Sequence, residues 1–488
     1  MIKFKLSSLP IFSESEFREK ALGLTSSGCR ISSFFASAVE GKRKLYLVLS
    51  DDEAGTVQVI TTQPAAVPGN SGELSFHTLT TENPAFHLFE REIFEQSGIR
   101  PEGHPWLKPV RYPDRRPAET DFFRVEGSEI HQVAVGPVHA GIIEPGHFRF
   151  QCHGETVYHL ETAHGFQHRG IETNLIGGPR PADLCKIEVT AGDSSIAHST
   201  AYCRILEVLS ETAPPARAEA IRAIALELER CANHIGDLGA LAGDIGYLPT
   251  SSYCGRIRGD FLNMSALICG NRFGRGVIQP GGTGFDLSDK IKEQLLARLS
   301  AGRDDFISAV SLLWDSPTVL ARFESTGTVS QEASEQIGMV GPAARASGCG
   351  RDIRQNHPSG IYRTDCPKIA VSDKGDVFSR AWVRWLEVKE SIDFIEKLLQ
   401  GLPSGDVFID GAQKPAADTL AVSLVEGWRG EVCHTAITGT DGRFSSYKIV
   451  DPSFHNWFGL ALALRDEQIS DFPVCNKSFN LSYCGFDL

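Results

Sequence analysis

The densest run of chemically capable side chains is Cys185–Glu207, where thiol, carboxylate, hydroxyl, imidazole and phenol groups crowd the entry to a long helical region. That mixture could hold a metal ion or line a substrate cavity, with Asp193, Ser194 and His198 as the cavity residues. A second stretch, Gly136–His147, holds two histidines, a glutamate, three glycines and two prolines in twelve residues. As structure it is a turn-rich loop. As chemistry it could present His139 or His147 to a cavity, imidazole being the side chain that changes charge near neutral pH. Asp244 lies in an otherwise apolar run, Leu241–Pro249. A buried acid there needs a partner or its pKa rises; His139 would be a natural one, and a solvated aspartate at a helix end is an equal alternative. Gln167–Glu172 reads as a helix terminus with a surface ion pair. Gly341–Arg354 concentrates three arginines and three glycines, suited to an anion or to bidentate contacts with a neighbouring segment. No Walker or dinucleotide fingerprint is present.

These residues sit in a chain of 488 residues, long enough for two or three domains. The net charge of −13 argues against a nucleic-acid partner, which requires a basic surface. The 12 cysteines are scattered singly, with no Cys-x-x-Cys pair, as expected of small buried hydrophobes in a reducing compartment. An iron–sulfur or zinc site built from this chain alone is therefore not expected. Apolar runs such as Trp457–Leu464 fall far short of the roughly 20 residues that span a bilayer. The first ten residues lack the apolar core of a signal peptide. A cytoplasmic protein is expected.

The elements that must position the candidate residues follow from periodicity. Lys44–Ser50 and Thr56–Thr62 read as strands separated by an Asp-Asp-Glu-Ala-Gly turn. His87–Ser97 reads as a helix closed by Gly98. Tyr112–Asp121 is Pro-rich and charged, as in a linker. Phe122–Thr162 is strand-like. Ala216–Leu241, Arg256–Arg272, Ser288–Trp314 and Ser379–Leu402 carry helical apolar spacing. The expected class is α+β: a small α/β N-terminal domain (1–112), a linker (113–132), and a mainly helical bundle domain with peripheral β-strands (133–488).

Several motifs together resemble a known family. They are His168-Arg-Gly-Ile-Glu172, Ala197-His-Ser-Thr-Ala-Tyr202, Glu227-Leu-Glu-Arg230, Gly341–Gly348, Val425-Glu-Gly-Trp-Arg-Gly-Glu431 and Asp451-Pro-Ser-Phe454. In this order they resemble the large subunit of group 4 nickel–iron hydrogenases and the related 49-kDa subunit of respiratory complex I. Glu90-Arg-Glu92 and Gly103-His-Pro-Trp-Leu107 resemble the 30-kDa subunit of complex I, fused ahead of it. The hydrogenase metal is held by two Cys-x-x-Cys pairs, because soft sulfur suits nickel and iron. Aligned on these motifs, the four ligand positions hold Ala191, Ser194, Ser453 and Asn456. The quinone-binding histidine and its aspartate in complex I match His139 and Asp244, but the partner tyrosine falls near Gly192. The histidine that approaches the last iron–sulfur cluster falls near Arg275 or Gly276.

The resemblance implies a hydrogenase-related complex that keeps the complex I scaffold and lacks the nickel–iron ligands. The chain is then expected to be its large peripheral-arm subunit, binding no metal or cofactor itself. Its partners would be a small subunit carrying a 4Fe–4S cluster, a ferredoxin-like subunit and membrane-arm subunits, on the inner face of the cell membrane. His139, paired with Asp244, would protonate a reduced acceptor such as a quinone in a cavity bounded by Asp193 and Ser194, with electron transfer coupled to ion translocation. NADH, if it feeds the complex, would be oxidised on another subunit. The alternative is a redox-inactive structural or coupling subunit.

Overall fold

The computed structural model describes residues 2–39, 41–67, 72–112, 116–410 and 414–488. The start of the expected linker, 113–115, lies outside these residues. The chain opens with strand β1 (Ile2–Lys5) and helix α1 (Glu14–Ser26), whose first turn carries a capping box from Ser13 and Glu16. Strands β2 (Arg30–Val39), β3 (Lys42–Asp51) and β4 (Thr56–Thr62) form an antiparallel meander, with Asp51 accepting from Glu53 and Ala54 in the expected turn. Helix α2 (His87–Ser97) ends at Gly98 in the left-handed conformation, φ 70°.

After an irregular segment come β5 (Ile130–Val135), β6 (His147–His153) and β7 (Thr156–Ala163), a three-stranded antiparallel sheet. The expected strand character of Phe122–Thr162 thus holds only in part: residues 122–129 pair with no strand, and Gly136–Gly146 forms the β5–β6 loop. The bundle consists of α3 (Ser195–Ser210), α4 (Ala216–Asp244), α5 (Leu248–Cys269), α6 (Asp289–Trp314), the short α7 (Gly341–Ala346) and α8 (Val377–Gln400). Here α4 packs between α5 and α8. Helix α5 begins eight residues before the expected Arg256, because Pro249 occupies its first turn, where a missing N–H costs nothing. Strands β8 (Thr419–Gly427), β9 (Gly430–Thr438) and β10 (Phe444–Val450) complete a four-stranded sheet in the order β1-β8-β9-β10. Every residue of β8 and β9 is buried, and α3 packs on this hairpin. Helices α9 (Pro452–Ala463) and α10 (Phe472–Phe479) follow. The class is α+β, as expected.

The N-terminal elements are not free of the rest. β1 pairs with β8 across the chain, Ile2 opposite Val422. Phe89 of α2 meets Phe454 of α9 with ring centroids 5.0 Å apart. Arg30 on β2 is buried and bridges Asp52, at 2.5 Å, to Glu431 on β9, at 2.7 Å. Asp52 also meets His357 at 3.0 Å. Burial disfavours the charge on Asp52, but the His357 and Arg30 contacts hold its carboxyl below the usual carboxylate range.

Arg30→Met leaves the buried Glu431 carboxylate without its ion-pair partner and removes one of the cations at the half-buried Asp52. It is expected to destabilise the protein by about 3–5 kcal/mol, read as a lower denaturant midpoint at unchanged slope; an unmoved midpoint would contradict this role.

Candidate functional site

The site is built where the N-terminus of α3 faces the β8–β9 turn. Ser194 is the N-cap of α3, but its side chain makes no capping bond. The free N–H groups of Ile196 and Ala197 instead donate to Glu229 of α4, at 2.7 and 3.2 Å. Burial pushes the Glu229 carboxyl up to about 8, against those two donors. With α3 capped from α4, Asp193 and Ser194 are left to face the turn.

Asp193 is fixed at both ends. Its carbonyl accepts from Asn233 Nδ2 and from Trp428 Nε1, each at 2.9 Å. Its carboxylate is gripped bidentately by Arg429 at 2.6 and 2.8 Å. Arg429 also donates to the Asn480 carbonyl at 2.5 Å and to Ser194 Oγ at 3.4 Å, and its guanidinium lies 3.8 Å from the Trp428 ring centroid. Burial opposes the charge on Arg429, but Asp193 more than offsets it and holds the guanidinium above its ordinary value.

This ion pair forms part of the wall of a cleft of about 370 Å³. Glu144, Asp237, Arg258 and Lys477 also line it. Glu144 comes from the β5–β6 loop and accepts from the Cys484 N–H at 3.1 Å. Asp237 is held by Arg384 at 2.8 Å. The loop is folded on itself by its own histidines: His147 Nδ1 meets the Gly136 carbonyl at 3.1 Å, and His139 Nδ1 accepts from Gly141 at 3.0 Å. A side chain at Gly136 would fall 1.9 Å from the Gly146 carbonyl, and Gly136 has φ 82°, so this closure requires glycine.

Of the residues expected at the site, Asp193 and Ser194 are there, and His198 is buried one turn into α3. His139 and Asp244 are not brought together. His139 is exposed, and Asp244 is the exposed last residue of α4, with the charge of Lys477 acting on it. Among the described residues no ion pair joins them, and His139 accepts instead from Gly141 in its own loop. Arg275 is half-buried against Phe273 and does not line the cleft. The residues that sequence reasoning passed over are Glu144, Glu229 and Arg429. Glu144 lay inside a stretch read for its histidines, and Arg429 inside a motif read only as ancestry.

Comparison with known proteins bears directly on this arrangement. The family described as the 49 Kd subunit of respiratory-chain NADH dehydrogenase matches residues 244–421. Formate hydrogenlyase subunit 5 of Escherichia coli is 30% identical over 91% of this chain and 82% of its own length. The chain belongs to this family of hydrogenase large subunits and complex I 49-kDa subunits. The carbon monoxide-induced hydrogenase of Rhodospirillum rubrum is 29% identical over 72% of this chain and 97% of its own length. NADH-quinone oxidoreductase subunit 4 of Thermus thermophilus is 27% identical over 75% of this chain and 95% of its own length.

The family's nickel–iron group can be tested against the residues at its four ligand positions. Ala191 offers no donor side chain, and its carbonyl accepts from the Ser194 N–H at 2.9 Å. Ser453 Oγ accepts from the Ser482 N–H at 2.8 Å. The Asn456 amide clamps Val340, accepting from its N–H at 2.9 Å and donating to its carbonyl at 3.0 Å. Ser194 faces Arg429. None supplies a thiolate, and the polar ones already satisfy neighbouring groups, so this set does not fit a thiolate-held nickel–iron centre.

Because the Glu229 carboxyl titrates higher folded than unfolded, the folded state holds the extra proton between about pH 4.5 and pH 8. Its contribution is complete below the unfolded value and is lost as pH rises through about 8. Tm is therefore expected to fall over this window, and less so in Glu229→Gln; identical pH profiles of the two proteins would contradict the assignment.

Proposed function

We propose that the chain is the large peripheral-arm subunit of a membrane-associated, complex I-like oxidoreductase whose cleft takes a quinone-type acceptor and holds no nickel–iron centre. The observation that carries this reading is the Asp193–Arg429 ion pair beside Ser194, with Ala191, Ser453 and Asn456 in place of the other thiolates. Electrons would come from a 4Fe–4S cluster in a neighbouring small subunit. Arg258, Arg429 and Lys477 would stabilise the negative charge that develops on an acceptor taking up electrons. Glu144 stands on the cleft wall as the candidate proton donor.

The partnership rests on the relatives and on exposed apolar side chains. Ile143 on the cleft wall is one, and Val138 of the same loop and Leu248 and Tyr253 of α5 are others, with Val138 95% exposed. Among the described residues no helix is long and apolar enough to cross a membrane, and membrane-arm partners would supply attachment at the inner face of the membrane and ion translocation. A ferredoxin-like subunit and any NADH-oxidising subunit would lie upstream. Residues 1–112 would be the 30-kDa-like part.

The test is reduction of a short-chain quinone analogue by the purified complex. The intact complex is expected to turn over, and Glu144→Gln to lower turnover by about tenfold or more with assembly preserved. A wild-type complex with reducible clusters and no quinone turnover would overturn the reading in favour of a redox-inactive coupling subunit.

A further inference from the structure

The cleft beside the Asp193–Arg429 pair carries cations that its own acids do not engage. Both oxygens of Asp193 are gripped by Arg429. Asp237 is held by Arg384 of α8 at 2.8 Å and by the Asn480 side-chain amide at 2.5 Å. Glu144 accepts from the Cys484 N–H. Arg258 of α5 and Lys477 of α10 line the same wall, and among the described residues neither side chain makes a hydrogen bond or an ion pair. Lys477 acts on Asp244, outside the cleft, without pairing with it.

Arg258 has a built seat. Its stem lies on α4 at Gly236, where a Cβ would fall 2.7 Å from Arg258 Cδ and 3.0 Å from its Nε. Arg258 is thus held half-buried one residue from Asp237, yet unpaired with it. A cation partly withdrawn from water is costly without a counter-charge. Its planar fork matches the paired oxygens of a carboxylate or a phosphate. A second feature lies on the same wall. Tyr483 lines the cleft and is buried, its ring packed on Gly146 of the β5–β6 loop. The Tyr483 hydroxyl makes no hydrogen bond of ordinary geometry. The polar groups that act on it, Asn476 and Glu144, are both wall residues, which sets the hydroxyl end of the ring toward the cleft. Burial pushes the phenol up, so it keeps its proton and can donate. A cleft of about 370 Å³ has the size of one small organic ligand, so donors on its wall meet the same molecule.

We propose that Arg258 and Lys477, with the Tyr483 hydroxyl, form an oxyanion subsite in the cleft, and that the ligand of the cleft carries a carboxylate or phosphate group. Arg258 takes two of its oxygens through the guanidinium fork, Lys477 supplies a second positive charge, and Tyr483 donates a neutral hydrogen bond. The subsite selects by charge and by oxygen acceptors, and no bond is made or broken in binding. That this ligand is also the electron acceptor rests on the proposed function; the binding of an oxyanion does not.

The test is isothermal titration of the purified full chain with benzoate, phenyl phosphate and the uncharged benzamide. Benzoate or phenyl phosphate is expected to bind at one site about tenfold or more tighter than benzamide, and the tighter of the two identifies the group. Arg258→Gln is expected to weaken that binding by about tenfold or more. Gly236→Ala keeps every charge but fills the seat of the Arg258 stem, and is expected to weaken it as well. Arg256→Gln removes the same charge from an exposed position of α5, where Arg256 pairs with Asp260 and Asp305, and is expected to leave binding unchanged. Failure of both anions to bind, or benzamide binding as tightly as they do, would overturn the subsite without any variant. Equal losses in Arg256→Gln and Arg258→Gln would overturn it too. A complex that reduces a quinone analogue while its chain binds neither anion would refute the subsite alone, so its failure and that of the proposed function are separable.

Discussion

A lattice of buried arginines and carboxylates holds the bundle to the central sheet, and the site depends on it. Arg345 of α7 joins Glu387 of α8 at 2.7 Å to Glu426 of β8 at 2.8 Å. Arg354 joins Asp352 at 2.7 Å to Glu227 of α4 at 3.0 Å. Arg230 of α4 meets Glu227 at 3.0 Å and grips the carbonyls of Glu426 and Gly427 at 2.7 and 3.1 Å. Charges this deeply buried are tolerable only when paired and hydrogen-bonded. Tyr362 and Ser391 supply the remaining donors to Glu227, at 2.7 and 2.6 Å. Each arginine spans two segments of chain, so the lattice fixes their relative positions where apolar packing alone would allow sliding.

The consequence is felt at the β8–β9 turn. Arg230 holds the backbone immediately before Trp428, and that grip sets the direction in which Arg429 leaves the turn. Arg429 is thereby aimed at Asp193 and into the cleft. Glu229, on the same helix as Arg230, caps α3 and leaves Asp193 and Ser194 free to meet it. Helix α4 thus places both halves of the ion pair. The same packing brings His198 against His434 and Asp451. The polar side chains at the start of α3 are thereby engaged in hydrogen bonds and ion pairs with α4 and the β8–β9 hairpin.

Much of this was legible in the sequence, to different depths. The long helices follow from apolar spacing alone, because each buries a continuous stripe. Ala216–Leu241 is found extended only to Asp244. Phe122–Ile130 was less legible, because a short alternating pattern does not distinguish a paired strand from an extended segment on the surface. Motif order pointed to the family and to the four positions that the resemblance aligns with metal ligands. It did not reveal the ion pair, since Asp193 and Arg429 are 236 residues apart and nothing in either stretch names the other. Nor did it exclude a His139–Asp244 pair, because residue type says what a side chain can do and only the backbone says what it can reach.

The central claim is that this ion pair and its neighbours stand in place of a metal centre. The most direct measurement is the nickel and iron content of the complex purified with this chain, set against its iron–sulfur clusters. The expected result is nickel far below stoichiometry, with all iron accounted for by clusters in partner subunits. One nickel per chain, retained through purification and lost on Asp193→Asn, would contradict it.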